Sequence, residues 1–219
     1  MSLAENVRRY YAARAPVYDE SAGYTDPEAE QFRGPIKDRY RKLFEGHDVL
    51  EIACGSGYWT AAVAETAKSV LAVDVNASLI SQAEARCRNL ANVRFQIADA
   101  YSLEAVPEGF SAAFSNLWWS HVPVERIPTF LTVLHGKLKC GAFVLFADQL
   151  VYDVLTRRED ASGNTLEKRV LPDGRSFDIV KNFPTEEAIR NVLSGIATNV
   201  EYIERPGEKS WSLTYNTKE

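Results

Sequence analysis

Three acidic residues and a pair of glycines carry the first chemical signal in this chain. Glu51 lies in Val49-Leu50-Glu51-Ile52-Ala53-Cys54-Gly55-Ser56-Gly57-Tyr58, a short apolar run that empties into glycines. Asp74 closes the run Ser69-Val70-Leu71-Ala72-Val73, and Asp99 follows Val93-Arg94-Phe95-Gln96-Ile97-Ala98. Glycines at a strand-to-helix turn let backbone N–H groups approach a ligand without interference from a Cβ, at the position where doubly wound sheets bind nucleotides, and an acid at the end of the second strand suits ribose hydroxyls. The spacing disfavours two nucleotide motifs. A dinucleotide GxGxxG starting at Gly55 needs glycine at position 60, where Thr60 stands, and a register starting at Ala53 ends on Tyr58. The Gly-Lys-Ser/Thr of a phosphate-cradling loop is absent. A carboxylate at Glu51 would repel a pyrophosphate and suits a cationic ligand.

These residues need strands and helices to hold them, and the pattern supplies both in alternation. Asp48 to Ala53 reads as a buried strand followed by the helix-like Trp59 to Ala64. Ser69 to Asp74 is a second strand, after which Asn76 caps a helix with Leu79, Ala83, Cys87 and Leu90 on one face. Val93 to Ile97 alternates as a third strand and Phe110 to Asn116 makes a fourth. Val124, Ile127, Leu131, Leu134 and Leu138 then line a helix that Gly141 is placed to end, before a fifth strand through Phe146. Such alternation predicts an α/β fold with a mostly parallel sheet covered on both faces.

The last third breaks the rhythm. Glu167 to Leu171, the turn Pro172-Asp173-Gly174 and Ser176 to Val180 read as a β-hairpin inserted after the fifth strand. Thr185 caps a helix with Glu186 and Glu187 in its first turn. Val200 to Glu204 and Trp211 to Tyr215 flank the short turn Arg205-Pro206-Gly207-Glu208, which makes the final pair antiparallel. Asn6 to Arg14 and Glu28 to Phe44 read as helices ahead of the sheet, while no structural weight falls on Met1-Ser2-Leu3. The expected organisation is one domain over residues 1–219: a helical lid at 1–45, a core at 46–150, an inserted hairpin at 152–184, and the last helix with its strand pair at 185–219.

Composition narrows the function. The chain has 219 residues, 25 Lys+Arg against 30 Asp+Glu, a formal net charge of -5 and 46% hydrophobic residues. A chain of this length buries enough surface to need neither disulfides nor structural metal, and its charge argues against a nucleic-acid partner. Its longest apolar run, Ala142 to Ala147, falls far short of the roughly 20 residues of a membrane span. Glu5, Arg8 and Arg9 stand where a secretion signal would be apolar. Cys54, Cys87 and Cys140 are scattered, odd in number and without Cys-x-x-Cys spacing, as in reduced thiols of a cytoplasmic protein.

Through Glu51 to Gly57, Val73-Asp74, Ala98-Asp99-Ala100 and the order of its elements, the chain resembles the class I S-adenosylmethionine-dependent methyltransferases along almost its whole length. The resemblance implies a Rossmann-like, doubly wound, seven-stranded sheet of order 3-2-1-4-5-7-6 with strand 7 antiparallel. It implies S-adenosylmethionine as cofactor and S-adenosylhomocysteine as product. Carried over, Gly55 and Gly57 hold the methionyl end, Asp74 binds the ribose, and Asp99 with the Ala100 backbone meets the adenine amino group. Glu51, Ala53, Cys54, Val75 and Asn116 complete the expected cofactor contacts. In the N-terminal segment Tyr18 closes over the cofactor and Arg14 pairs with its carboxylate. Ala53 departs from the family's Gly-x-Gly-x-Gly, a change that is harmless at negative φ and unfavourable at positive φ. Cys54 reads as a small loop residue rather than a nucleophile.

The acceptor pocket of that family is built after the fourth strand and from N-terminal elements, here Asn116 to His121 and Tyr10 to Asp19. His121 is the histidine of a ligand-facing loop, and an ordinary imidazole pKa near 6.5 suits proton abstraction at neutral pH; a histidine that simply enters the next helix is the alternative. Trp118 and Trp119 wall the pocket, with one of the two packing in the core, and Tyr11 joins them. Ser115-Asn116-Leu117-Trp118 lacks the Asp/Asn-Pro-Pro-aromatic signature of enzymes acting on exocyclic or amide nitrogens, and no metal-ligand cluster is present. The expectation is a methyltransferase acting on a small molecule by in-line displacement. A non-catalytic S-adenosylmethionine-binding protein is the alternative, and Thr60 and Glu51 disfavour an NAD-dependent oxidoreductase.

Overall fold

Capped helices and short apolar strands alternate in the computed structural model, which describes residues 2–152 and 157–218. The helices are α1 (Leu3–Arg14), α2 (Tyr18–Ser21), α3 (Pro27–Leu43), α4 (Tyr58–Ala64), α5 (Ala77–Arg86), α6 (Ile127–His135) and α7 (Glu186–Leu193). The strands are β1 (Asp48–Ile52), β2 (Ser69–Asp74), β3 (Val93–Ile97), β4 (Phe110–Asn116), β5 (Leu138–Gln149), β6 (Arg157–Glu159), β7 (Thr165–Val170), β8 (Ser176–Val180), β9 (Ala197–Arg205) and β10 (Ser210–Thr217). Seven of them form a sheet of order β3-β2-β1-β4-β5-β10-β9, in which β1 to β5 are parallel. β10 runs antiparallel to both β5 and β9, so the expected topology holds with β10 in the place of the family's seventh strand.

Side-chain alternation along β1 explains how the sheet faces its two layers. Leu50 and Ile52 join a core with Phe130, Leu131 and Leu134 of α6 and Ile189 of α7. Val49 points the other way, into a core with Tyr40 and Phe44 beside α3, Val63 of α4 and Ile80 of α5. A third, smaller cluster docks α1 through Val7 and Tyr10 onto Leu166, Ile179 and Val180 of β7 and β8. Each such buried side chain contributes about 1.5–3 kcal/mol, enough for a twelve-residue helix to depend on this contact. Among the described residues no helix is long and apolar enough to cross a membrane.

Four elements differ from the sequence reading. The insertion is a three-stranded sheet of order β6-β7-β8 rather than a hairpin, because Arg157-Arg158-Glu159 pairs with β7 while offering no apolar residue to betray it; residues 153–156 of the expected 152–184 insertion lie outside the described residues. α1 begins at Leu3, since the Ser2 hydroxyl accepts from the Glu5 N–H at 3.2 Å. α6 ends at His135, and Leu138 opens β5: the Gly109 and Phe110 N–H groups both donate to the Lys137 carbonyl, drawing the chain into the sheet. Gly141 therefore does not end the helix. It lies inside β5 at φ 72°, where the register with β4 shifts.

Candidate active site

The carboxyl ends of β1 to β4 open into one cavity, where doubly wound sheets place their ligands. Its floor is Ala53 and Gly55 after β1, Asp74 to Asn76 after β2, Ala98 to Tyr101 after β3, and Asn116 to Trp118 after β4. Ala4, Val7, Arg8 and Tyr11 of α1, with Tyr18, form the roof, and His121 lies at one end. Thus Tyr18, Ala53, Gly55, Asp74, Val75, Asp99, Ala100, Asn116, Tyr11, Trp118 and His121 are brought together as the sequence anticipated. Glu51, Cys54, Gly57, Arg14 and Trp119 are not among the lining residues.

Asp74 is held by its own turn. The Gly55 N–H donates to Oδ2 at 3.0 Å and the Asn76 N–H donates to Oδ1 at 2.8 Å, so each oxygen keeps lone-pair capacity for a ligand. Burial raises the carboxyl above its ordinary pKa despite those two bonds. Gly55 sits at φ 56°, and a Cβ there would lie 3.1 Å from the Tyr18 hydroxyl, so Tyr18 packs directly on the glycine loop. Asp99 accepts the Tyr101 N–H at 3.0 Å and pairs with Arg8 of α1. Both partners are about two-fifths exposed, and a pair so open to water is worth about 0–1 kcal/mol.

Several expected cofactor residues have other surroundings. Ala53 has φ 55°, so the methyl that replaces the family's glycine occupies a left-handed position. Gly57, at φ 76°, begins α4, and a Cβ on it would meet the Ala83 Cβ at 2.9 Å; it allows α4 and α5 to approach. Glu51 shares the Val49 face of β1, turned away from the cavity, where Thr60 donates to it and burial pushes its pKa up to about 8. A cation-facing carboxylate is therefore not what Glu51 supplies. Burial likewise pushes the Cys54 thiol well above its ordinary range, which keeps it out of nucleophilic chemistry. The Arg14 Nε donates to Ser21 Oγ at 2.8 Å, and its guanidinium lies 5.1 Å from the Tyr18 ring centre.

After β4, Trp118 lines the cavity, whereas Trp119 is buried in the core between Phe146 and Trp211. His121 is 4% exposed. Its Nδ1 lies 2.7 Å from the Val180 carbonyl and its Nε2 lies 2.8 Å from the Tyr11 hydroxyl. A carbonyl only accepts, so Nδ1 carries the hydrogen. The ring does not keep the ordinary pKa read from sequence: burial, reinforced by the Lys181 ammonium, lowers it to about 3. Behind it, Lys181 Nζ donates to Ser120 Oγ at 2.8 Å and to Asp148 at 3.2 Å, and Asp148 also accepts the Ser120 N–H at 2.9 Å. Burial alone would raise Asp148, yet the Lys181 charge and backbone N–H donors hold it below its ordinary value. Arg8, Asp148 and Lys181 carry no motif; the visible signal was a charge at the end of an apolar run, Phe143 to Ala147 before Asp148 and Ile179-Val180 before Lys181.

Among the described residues, four buried side-chain donors without a protein partner belong to residues that line the cavity: Asn76 Nδ2, Tyr101 OH, Asn116 Nδ2 and Trp118 Nε1. Buried polar groups are normally satisfied, so this lining suits a ligand with hydrogen-bond acceptors better than a wholly apolar one.

Comparison with known proteins agrees with the geometry. Residues 49–141 match the family described as a methyltransferase domain. That match covers 93 of the chain's 219 residues. A phosphoethanolamine N-methyltransferase of Caenorhabditis elegans is 30% identical over 89 residues, which are 41% of this chain and 19% of that protein. The chain thus spans well under two thirds of that curated relative. Two solved structures follow the fold over its full extent. A DhpI–SAH complex is 29% identical with a TM-score of 0.78, covering 99% of this chain and 97% of that one. A DhpI–SAM–HEP complex is also 29% identical, with a TM-score of 0.76 and 97% of each chain covered.

Proposed function

We propose that the protein is an S-adenosylmethionine-dependent methyltransferase acting on a small-molecule acceptor bound between the glycine loop and the Tyr11–His121 wall. The observation that carries this reading is the single cavity in which Asp74, the Gly55 loop and the partnerless donors face Tyr11, Tyr18 and His121. The SAM and SAH in the two DhpI complexes support the choice of cofactor, and the phosphoethanolamine relative supports an acceptor of small size. Asp74 would take the ribose hydroxyls on its two free lone-pair directions, Asp99 and Ala100 the adenine, and the Gly55 loop beneath Tyr18 the methionyl end. S-adenosylmethionine supplies a methyl group on a positively charged sulfur, transferred by in-line displacement with S-adenosylhomocysteine left behind.

The chain's own residues then have to align and desolvate the acceptor. Holding reactants in line is worth on the order of 7–11 kcal/mol of barrier. The roof of α1 and Tyr18 excludes water from above, so residues 1–45 serve as a lid on one continuous domain. Residues 117–121 and the β6–β8 sheet provide the acceptor wall. Three free cysteines, one of them exposed, support a reducing, cytoplasmic setting, and the net charge of -5 supports an acceptor other than nucleic acid.

Calorimetric titration with S-adenosylmethionine and S-adenosylhomocysteine tests this reading. The intact protein is expected to bind both, and Asp74→Ala to weaken both by roughly 10- to 100-fold, the worth of hydrogen bonds to a charged group. Absence of binding by the intact protein would sink the proposal, and binding without turnover on any acceptor would mark the non-catalytic alternative.

A further inference from the structure

Lys181 is the buried charge that methyl transfer does not obviously need. It is 2% exposed, follows β8 directly, and meets Asp148 and Ser120 at hydrogen-bond distance. Burying an ion pair is costly, and replacing one by apolar residues is often neutral or stabilising, so hydrophobic packing does not call for a lysine here. Its neighbour in sequence, Val180, gives its carbonyl to His121 Nδ1. The same strand end therefore delivers both an acceptor for one imidazole nitrogen and a positive charge behind the ring.

We propose that Lys181 is a positioning residue for the methyl acceptor: fixed against Asp148 and Ser120, it holds the end of β8 whose Val180 carbonyl takes the His121 Nδ1–H, so that Nε2 accepts the Tyr11 hydroxyl hydrogen and Tyr11 Oη turns its lone pairs toward the cavity. This deepens the methyl-transfer reading and rests on it. A tyrosine hydroxyl has one hydrogen and two lone-pair directions. With the hydrogen committed to Nε2 at 2.8 Å, only acceptance remains for the cavity side. Tyr11 then orients an acceptor whose reacting atom bears an O–H or N–H, aiming that atom's own lone pair elsewhere, and offers nothing to a reacting carbon. An imidazolium would reverse the arrangement, because Nε2–H would donate to Tyr11 and turn the tyrosine hydrogen into the cavity.

The ionisable groups around the ring agree with the neutral form. Burial does most to keep the ring neutral; Lys181 after β8 and Arg169 on β7 add to it, and Asp148 on β5 and the Val180 carbonyl oppose it. On α1, Tyr11 is kept protonated by burial against the pull of Arg14. His121 in this role acts through Tyr11 and does not itself take a proton from the acceptor.

Imidazole nitrogen-15 spectra of the S-adenosylhomocysteine-bound protein test the inference without relying on turnover. In the intact protein and in Lys181→Arg, the His121 ring is expected to stay neutral with Nδ1 protonated from about pH 5.5 to 8, below and above the ordinary imidazole pKa. In Lys181→Gln the Val180 carbonyl is no longer held against Nδ1, so the ring is expected to gain a population protonated at Nε2, and the acceptor KM to rise up to about tenfold. His121→Gln, whose amide oxygen can take the Tyr11 hydrogen, keeps the acceptor KM near that of the intact enzyme, whereas His121→Ala raises it up to about tenfold, one lost hydrogen bond. If Lys181→Gln does not fold, Lys181→Gln combined with Asp148→Asn removes one charge that opposes and one that favours a positive ring, so the Nδ1–H population and the acceptor KM are read rather than a titration midpoint. A ring that titrates near 6.5 in the intact protein, or one whose Nδ1–H population is unmoved by removal of Lys181, overturns the inference while leaving cofactor binding intact. Failure of S-adenosylhomocysteine to bind strikes the functional reading instead.

Discussion

Around Asp74 the polar contacts join residues that are close along the chain or on neighbouring strands: Asn76 N–H two residues on, Gly55 N–H nineteen away across the β1–β2 pair. Around His121 they join distant segments, with Tyr11 110 residues away, Val180 59 away, and Lys181 bound to Ser120 over a separation of 61. The cavity floor is thus a by-product of folding the parallel sheet. The wall around His121 exists only after α1 and the β6–β8 sheet have docked on that core. Long chain closures add entropic cost slowly with length, so the wall is affordable, but its stability is that of its docking contacts rather than of the sheet. The floor can keep the same local motif while the wall is rebuilt from other segments, which is how one cofactor site can serve different acceptors.

Gly57→Val attacks the floor and carries the largest expected effect. The new Cβ meets Ala83 at 2.9 Å in a left-handed backbone, combining about 1–2 kcal/mol of conformational strain with about 1–3 kcal/mol of overpacking. The urea midpoint should drop accordingly, or the protein should fail to fold; an unchanged midpoint would mean that the α4–α5 approach is not tight. Tyr10→Ala attacks the wall. Tyr10 is 6% exposed and edge-packed on Phe177 at 5.7 Å, and truncating a buried aromatic costs about 3–5 kcal/mol. Hydrogen exchange should accelerate by about 100-fold or more in α1, with β1 to β3 little changed. Equal acceleration in both would erase the distinction between floor and wall. The smallest expected effect is Ala53→Gly, which relieves a methyl at φ 55° and loses some of that gain to chain entropy. It should raise the urea midpoint by the equivalent of about 0.5–1 kcal/mol with an unchanged slope.

The same contrast decides what could be read from the sequence. Asp74, Asp99 and Gly55 were legible because a strand, its terminal acid and the following turn lie within a few residues of one another. Glu51 shows where that reading fails: it shares the same segment, but the alternation of β1 turns it to the Val49 side, under Thr60. The third strand of the small sheet was hidden because Arg157-Arg158-Glu159 is held by backbone pairing with β7 and not by an apolar face. His121 was recognised, yet its surroundings were not: it is buried under Tyr11 and Val180, with Lys181 and Asp148 meeting at the adjacent Ser120, from segments that no local pattern connects. Tyr11 was placed in the pocket by its neighbourhood alone, without its bond to the imidazole.

Arg8 and Tyr11 are three residues apart on α1, less than one helical turn, and they grip opposite ends of the cavity, Arg8 at Asp99 and Tyr11 at His121. A rigid helix cannot lift one of these side chains and leave the other seated. Mechanically α1 is a single bar with two teeth: any movement that frees Asp99 also frees His121, so the two contacts share one clock.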